Sequence, residues 1–258
     1  MRQCPVLDIT CDTEIVAAPD PLGETRENTG SIRPRTNDAE RDAATIEYQG
    51  ISRTGHLPEL LLATRNPGKL EEIRNYLRPI HPSLRILSMD QVRDAPAVVE
   101  DGSSFLENAR KKAKLLATFT RIPTLADDSG LEVDVLGGRP GVLSARFAGP
   151  NADDKDNIRK LLEKLKDVPA EKRTAHFRCV MALYGASGIS YTATGDVCGL
   201  IIDEPRGTGG FGYDPIFFIP ALGRTFAEIT PAEKNRFSHR ALAVAKISDH
   251  LTEFLAKL

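Results

Sequence analysis

The chain has 258 residues, of which 41% are hydrophobic and 27% are charged, with a formal net charge of −2 at pH 7. This composition is typical of a globular protein, and the length suits one domain of about 200 residues with an appendage, or two small domains. The small net charge excludes a bulk basic field for a nucleic-acid polymer, and no apolar run reaches the ~18 residues of a membrane span. The four cysteines (Cys4, Cys11, Cys179 and Cys198) show no C-x-x-C pair and no zinc spacing, as is typical of thiols in a reducing compartment.

The first 56 residues differ in composition from the remainder of the chain. They lack helical periodicity, and their only aromatic residue is Tyr48. Such a segment buries too little apolar surface to offset the entropy of ordering it. We therefore expect residues 1–56 to form a disordered N-terminal extension and residues 57–258 to form the folded domain. The extension has no apolar signal core and is rich in acids, so we expect a cytoplasmic location.

The folded part begins with the pattern of a strand, a turn and a helix. Residues 60–63 form a short apolar run that predicts a buried strand. Asn66 then suits the N-cap of a helix, and Pro67 suits its first turn. Further segments follow in chain order: a helix from a capping box of Ser104 and Glu107, a strand over 123–130 that ends in a turn, a helix over 151–165, antiparallel strands over 174–185 and 189–202, and a long helix over 230–255. This alternation predicts an α/β fold with a mixed sheet.

The turn at residues 64–69 (TRNPGK) has the composition of a phosphate cradle. Backbone N–H groups at a helix start are unpaired, and the helix dipole favours an anion there. Thr64 and Asn66 add side-chain donors, and Lys69 adds a positive charge. A Walker A motif is absent. The pattern is equally typical of a well-capped helix with an exposed lysine.

The segment ADDSG (126–130) places two carboxylates side by side. Asp127 and Asp128 are costly neighbours unless a positive charge lies between them. Magnesium suits this position, because it is usually bound by one or two carboxylates together with substrate phosphates. Glu100 and Asp101 are candidates for a further ligand. The alternative is an Asp-rich turn without a metal.

The segment GTGGFGYDP (207–215) contains a match to the dinucleotide fingerprint G-x-G-x-x-G. A dinucleotide turn must open a helix, but the residues that follow, YDPIFFIP, predict a strand. We therefore expect the glycines to shape a loop that presents Phe211, Tyr213 and Asp214. An aromatic ring can stack on a base, and a carboxylate can bind its N–H edge. A hairpin loop with a core phenylalanine is the alternative.

The segment EKNRFSHR (233–240) carries Lys234, His239 and Arg240. His239 and Arg240 are neighbours, so they cannot point the same way from a regular helix. A kink or a local helix end would let both donate to one ligand. A solvated basic helix face is the alternative.

Four segments together resemble one family. ATRNPGK, ADDSGLEVDVLGGRPGVLSARFAG, GTGGFGYDPIFF and EKNRFSHR, in this order, resemble the inosine triphosphate pyrophosphatases, which act on non-canonical purine nucleotides. The resemblance covers residues 57 to 258 and leaves the first 56 unmatched. It implies an elongated mixed sheet flanked by helices, with a nucleotide cleft between two lobes, and a homodimer. It also implies magnesium-dependent hydrolysis of ITP, dITP and XTP to the monophosphate and pyrophosphate.

The resemblance also implies roles for individual residues. Asp128 would be the catalytic base and, with Glu100, a magnesium ligand. Ser129 would contact the substrate. The triphosphate would be bound by Thr64, Arg65, Asn66, Pro67, Gly68 and Lys69, with help from Lys112. The base and sugar would be surrounded by Phe211, Gly212, Tyr213, Asp214, Lys234, His239 and Arg240.

Three alternative functions are compatible with parts of the sequence. A Maf-type pyrophosphatase of pyrimidine or modified nucleotides typically has S-x-S-x-x-R in its opening loop, where this chain has Thr64, Asn66 and Lys69. A nucleotide-binding regulator without catalysis would need its acidic pair disabled, and both aspartates are intact. An NAD-dependent oxidoreductase would depend on the fingerprint glycines alone.

Overall fold

The computed structural model describes residues 57–185 and 188–256, so the expected extension over residues 1–56 lies outside the described residues. An eight-stranded mixed sheet forms the centre of the described chain, with the order β2-β1-β3-β5-β6-β7-β8 and with β4 paired to β3. β1 is parallel to β2 and β3, whereas all other pairs are antiparallel. The strands are β1 (Glu59–Leu62), β2 (Arg85–Ser88), β3 (Thr124–Val133), β4 (Arg139–Pro140), β5 (Thr174–Tyr184), β6 (Ser190–Ile201), β7 (Phe217–Ile219) and β8 (Arg224–Thr225).

The sheet is flanked by helices, which confirms the predicted α/β class. The α-helices are α1 (Pro67–Ile80), α2 (Phe105–Thr120), α3 (Asp154–Leu165), α4 (Pro231–Phe237) and α5 (His239–Ala256). Helices α1 and α5 pack on one face of β3 and β5, and α2 packs on the other face. A further apolar cluster joins α3 and β7 to β3, β5 and β6. None of the described helices is long and apolar enough to cross a membrane.

Local sequence signals set several of these helix boundaries. The Asn66 side chain accepts a hydrogen bond from the backbone N–H of Lys69 at 3.1 Å, and Pro67 occupies the first turn, as predicted. Ser104 caps α2 in the same way. The predicted capping box is only half formed, because the Glu107 carboxylate accepts hydrogen bonds from the N–H and the hydroxyl of Ser103.

The structure corrects the prediction that the strand over residues 123–130 ends in a turn. β3 continues through this segment to Val133, because β5 pairs with it along its whole length. Asp127 and Asp128 therefore lie inside a strand, opposite Met181 and Val180. Successive side chains of a strand point to opposite faces. The two carboxylates are consequently separated by the sheet instead of sharing one turn.

The structure also corrects the prediction of one long C-terminal helix. Ser238 has extended backbone angles and separates α4 from α5. Its hydroxyl accepts a hydrogen bond from the N–H of Ala241 at 3.2 Å, as an N-cap residue does. His239 and Arg240 thus lie at the start of a new helix, where they are not bound by the geometry of a continuous one. This is the local helix end that their shared role would require.

The glycine-rich segment does not open a helix. A short 3-10 turn (Asp214–Ile216) leads from it directly into β7, and the predicted strand is confirmed. The structure therefore rejects the dinucleotide-binding interpretation, since the fingerprint requires a helix at this point.

Candidate active site

A notch in the sheet brings the predicted phosphate cradle next to the acidic pair. β1 ends at Leu62, which pairs with Leu125, whereas β3 runs on past it. The turn over residues 64–69 fills the space beyond the end of β1, and α1 starts there. Lys69 of this turn reaches Asp127, with 2.8 Å between Nζ and Oδ2.

Asp127 is buried among cations on the face covered by α1 and α5. Its Oδ2 lies 3.6 Å from Nε of Arg240 and accepts a hydrogen bond from Ser129 Oγ at 3.2 Å. Burial disfavours the charged carboxylate, but the positive charges of Lys69, Arg240 and Lys112 outweigh it and hold the pKa of Asp127 well below its usual range. Asp127 Oδ1 is buried and has no hydrogen-bond partner among the described residues.

A buried ion-pair network extends from this point across three helices. Arg240 pairs with Glu72 and also donates a hydrogen bond to Ser129 Oγ at 3.0 Å. Lys234 pairs with Glu72 at 3.0 Å and with Asp214 at 2.5 Å. Burial opposes ionisation of Glu72, but Arg240 and Lys234 lower its pKa below the usual value. Sequence reasoning missed Glu72; its position one helical turn after Lys69 was the available signal.

The glycine-rich loop packs onto this network through Phe211. The Phe211 ring lies under the Lys234 ammonium at 4.8 Å and the Arg240 guanidinium at 5.5 Å, distances typical of cation–π contacts. The same ring lies against Gly68, where a Cβ atom would approach it to 2.6 Å. The two predicted substrate-binding segments therefore touch each other.

Two residues of this loop are not presented to solvent. The Tyr213 hydroxyl donates a hydrogen bond to the Ser144 carbonyl at 2.9 Å, and the ring belongs to the apolar core. The Asp214 carboxylate accepts hydrogen bonds from Phe211 N–H and from Lys234. Burial raises the pKa of Asp214, although Lys234 opposes the shift. Both residues hold the loop in place, and their contact with a substrate stays a prediction. The loop is also anchored to α3, because the N–H of Gly212 donates a hydrogen bond to Asp154.

Asp128 lies on the opposite face of β3 and has different neighbours. Its Oδ2 accepts a hydrogen bond from Asn108 of α2 at 2.9 Å. Its Oδ1 accepts one from the backbone N–H of the next residue, Ser129. Burial raises the pKa of Asp128, although Asn108, Lys69 and Lys112 oppose the shift. A carboxylate with a raised pKa accepts a proton more readily.

Glu100 is held beside this second carboxylate by two contacts. Its carboxylate pairs with Lys112 of α2 at 2.9 Å, and its backbone carbonyl accepts a hydrogen bond from Arg146 at 2.9 Å. Burial disfavours the charged form of Lys112, but Asp127 and Glu100 raise its pKa above the usual value. Asn108 and Arg146 were not identified from the sequence.

The donor set fits a hard cation only in part. The described residues contain no group of three His, Cys, Asp or Glu side chains that could hold a metal. Glu100 and Asp128 supply two carboxylates, the number from which magnesium is commonly bound when phosphates and waters complete its coordination. Asp101, the other candidate ligand, pairs instead with Lys111 at the surface.

His239 lies beside the network with a buried nitrogen. Its ring stacks on Phe177 at a centroid distance of 4.8 Å, and its Nδ1 has no hydrogen-bond partner among the described residues. Burial, together with the charges of Arg240 and Lys234, places the pKa of His239 well below its ordinary value. The imidazole is therefore neutral at pH 7 and has one donor and one acceptor nitrogen.

The fold and the site define an α/β protein in which a helix start and several lysines lie together, an arrangement that suits an anionic ligand. The chain belongs to the Ham1 family, whose model matches residues 60–250. It is 51% identical over 195 residues to a dITP/XTP pyrophosphatase from Geobacter sulfurreducens, covering 76% of this chain and 97% of the relative. It is 45% identical over 192 residues to a dITP/XTP pyrophosphatase from Bacillus subtilis, covering 74% and 96%.

Solved structures agree with this assignment. A HAM1 protein from Coxiella burnetii matches with a TM-score of 0.69 and 42% identity, covering 76% of this chain and 99% of that one. A Ham1 protein from Staphylococcus aureus matches with a TM-score of 0.68 and 38% identity, covering 76% and 99%. The resemblance found in the sequence is thereby confirmed, and the Maf-type alternative receives no support.

Proposed function

We propose that this protein hydrolyses the non-canonical purine nucleoside triphosphates ITP, dITP and XTP to the monophosphate and pyrophosphate. The single observation that supports this best is the notch at the end of β1, where a helix start and Lys69 meet two carboxylates on opposite faces of β3. The curated relatives named dITP/XTP pyrophosphatase support the substrate class.

The phosphate chain lies along the turn that starts α1. The unpaired N–H groups there and the ammonium groups of Lys69 and Lys112 stabilise the negative charge of the triphosphate. Asp127 holds Lys69 in this position and is not a metal ligand, because the side chain is buried and its Oδ2 faces Lys69 and Arg240. The other residues assigned to this subsite are Thr64, Arg65, Asn66, Pro67, Gly68 and Ser129.

Glu100 and Asp128 would hold a magnesium ion on the other face of β3, with Lys112 moving from Glu100 to the phosphates. Such an ion supplies charge neutralisation for the phosphoryl oxygens. Asp128 orients the attacking water and takes its proton as it approaches the α-phosphorus, so that the bond to the pyrophosphate oxygen breaks. Asn108 keeps the Asp128 carboxylate in this orientation.

Base selection takes place where Phe211, His239 and Arg240 meet. The Phe211 ring stacks on the purine, and donors from His239 or Arg240 reach O6 of hypoxanthine or xanthine. Adenine presents an amino group at this position, so a buried donor would be left unpaired at a cost of about 1–3 kcal/mol. This subsite is held in place by Gly212, Tyr213, Asp214 and Lys234.

Pyrophosphate release from ITP, XTP, dITP, GTP, ATP, UTP and CTP, with and without magnesium, tests the proposal. We expect magnesium-dependent pyrophosphate from ITP, dITP and XTP far above that from ATP and GTP. Activity on pyrimidines alone would contradict the substrate class. Release of orthophosphate instead would place the cleavage at another phosphorus and contradict the role of Asp128.

A homodimer and a cytoplasmic location complete the proposal. The dimer is supported by the family resemblance and can be checked by analytical ultracentrifugation of the full chain. A monomer at all concentrations would contradict it. Fractionation of source cells tests the location.

A further inference from the structure

A second cluster of reactive side chains lies outside the candidate active site. Cys198 of β6 is the cross-strand partner of His176 of β5, and 3.3 Å separate Cys198 Sγ from His176 Nδ1. The other ring nitrogen, Nε2, lies 3.4 Å from Oδ1 of Asp134, which directly follows β3. Thr174 Oγ1 donates a hydrogen bond of 2.5 Å to Oδ2 of the same carboxylate.

This order of groups is that of an activated nucleophile. A thiol within hydrogen-bond reach of an imidazole, with a carboxylate behind the imidazole, recurs on unrelated folds and is recognised by its geometry. The Asp134 carboxylate lies 3.4 Å from Nε2, so it favours the tautomer that carries its proton on Nε2 and leaves Nδ1 as the acceptor. In that tautomer Nδ1 faces the thiol as an acceptor, and Thr174 holds the carboxylate beside the ring.

The cluster is accessible to reagents in solution. Cys198 is exposed, and the His176 side chain is 33% exposed. Cys179 is the buried counterpart on the same sheet, where burial raises the pKa of its thiol. The other charged groups on this face of the neighbouring strands are Glu132 of β3, Arg178 of β5 and Asp196 of β6, and Arg178 pairs with both acids.

The cluster shares no residue with the candidate active site. Phe177, the residue after His176, points to the opposite face of the sheet, where it stacks on His239. None of the residues assigned to substrate or metal belongs to the cluster. Changes at Cys198 can therefore be measured without removing a group from the proposed hydrolytic site.

We propose that Cys198, His176 and Asp134 form a reactive thiol site that is modified by peroxides and by soft electrophiles. With hydrogen peroxide, the thiolate sulfur attacks one oxygen, an S–O bond forms and the O–O bond breaks. The leaving hydroxide takes the proton held on His176 Nδ1 and departs as water. The sulfur is oxidised by two electrons to a sulfenic acid, and the peroxide is reduced.

The test is the alkylation rate of Cys198 by iodoacetamide in the full chain, followed by peptide mass spectrometry across a pH series. The same cysteine in the denatured chain gives the reference thiol, with a pKa of about 8.5. We expect the folded chain to react about tenfold faster than this reference near pH 7, because more of the thiol is ionised. Dimedone labelling after hydrogen peroxide should mark Cys198 and not Cys179.

Matched variants separate activation from exposure. His176→Gln should reduce the rate to that of the denatured chain, and Asp134→Asn should reduce it less. Pyrophosphate release from ITP, unchanged in both variants, shows that they are folded. A folded-chain rate that follows the reference pH curve, or a rate indifferent to His176→Gln in folded protein, would overturn the proposal.

Discussion

Asp127 and Asp128 are neighbours in the sequence, yet they differ in nearly every physical property. Asp127 faces Lys69 and Arg240, and its pKa is lowered despite complete burial. Asp128 faces Asn108, and burial raises its pKa. The first carboxylate is a fixed counter-ion, and the second is a group that can exchange a proton. The pleat of β3 produces this difference, because it directs adjacent side chains to opposite faces of the sheet.

The largest expected effect of the difference between the two aspartates is that of Asp128→Asn on the rate of hydrolysis. Because this carboxylate is the proposed base, its loss should lower kcat for ITP by about a thousandfold, within the range of general-base contributions. Nucleotide binding, measured by calorimetry, should survive. The free energy of unfolding should not fall, since the charged form of Asp128 is disfavoured by burial. Full activity in the variant would remove Asp128 from the mechanism.

The same substitution at Asp127 should act on stability instead. Asp127→Asn leaves Lys69 and Arg240 without a buried counter-ion, and breaking such a pair costs about 3 kcal/mol or more. Urea unfolding measures this loss. Asp101→Asn is the matched control, because Asp101 is an exposed acid paired with Lys111, and it should leave stability unchanged within error. If the two variants were equally stable, the counter-ion role of Asp127 would be wrong.

Adding Lys69→Met to Asp127→Asn sharpens this prediction. Removal of the surplus positive charge should recover part of the lost stability, while phosphate binding weakens further. A double-mutant cycle gives the coupling between the two side chains. Strict additivity would show that the 2.8 Å contact contributes no coupling in solution.

The sequence was sufficient for the parts of the site that local patterns define. The cap at Asn66 and the strand after the glycine-rich loop both follow from short-range chemistry. The break at Ser238 was not predicted, because the apolar periodicity runs through it as one helix. The separation of Asp127 from Asp128 was not predictable in this way. Asp, Ser and Gly favour turns, and only the pairing of β3 with a distant strand overrides that preference.

The pairing of residues that are distant in the chain was likewise not predictable from the sequence. Glu72 pairs with Arg240 across 168 positions of the chain, and Arg146 binds the Glu100 carbonyl across 46. Neither residue lies in a recognisable spacing relative to its partner. Only the folded structure therefore reveals the ion-pair network on one side of β3 and the contact that holds Glu100 on the other side.

On the face of the sheet that carries Arg240 and Lys234, His239 makes the free energy of unfolding depend on pH. The pKa of His239 in the folded chain is below its unfolded value of about 6.5, so the unfolded chain binds one more proton in acid. The stability linked to His239 is complete above that pH and is lost as pH falls below it. Between about pH 7.5 and about pH 5.5 the loss is on the order of 1 kcal/mol.

His239→Gln isolates this contribution. The difference in unfolding free energy between wild type and variant, measured in urea across the same pH range, should shrink toward acid by that amount. Other titrating groups are common to both chains and cancel. A difference that is constant with pH would mean that His239 is not held neutral beside Arg240 and Lys234.

The smallest expected effect is at Gly68, where the turn over residues 64–69 meets the glycine-rich loop. A Cβ atom at this position would lie 2.6 and 2.8 Å from two atoms of the Phe211 ring. Gly68→Ala should displace the ring, which is a movable side chain, and so raise KM for ITP severalfold with little change in kcat, a loss of about 1 kcal/mol in binding. Glu71→Ala, an exposed change on the same helix, is the control and should leave KM unchanged. An equal fall in kcat would place Phe211 near the reacting phosphate, whereas an unchanged KM would show that its contact with Gly68 does not position the base.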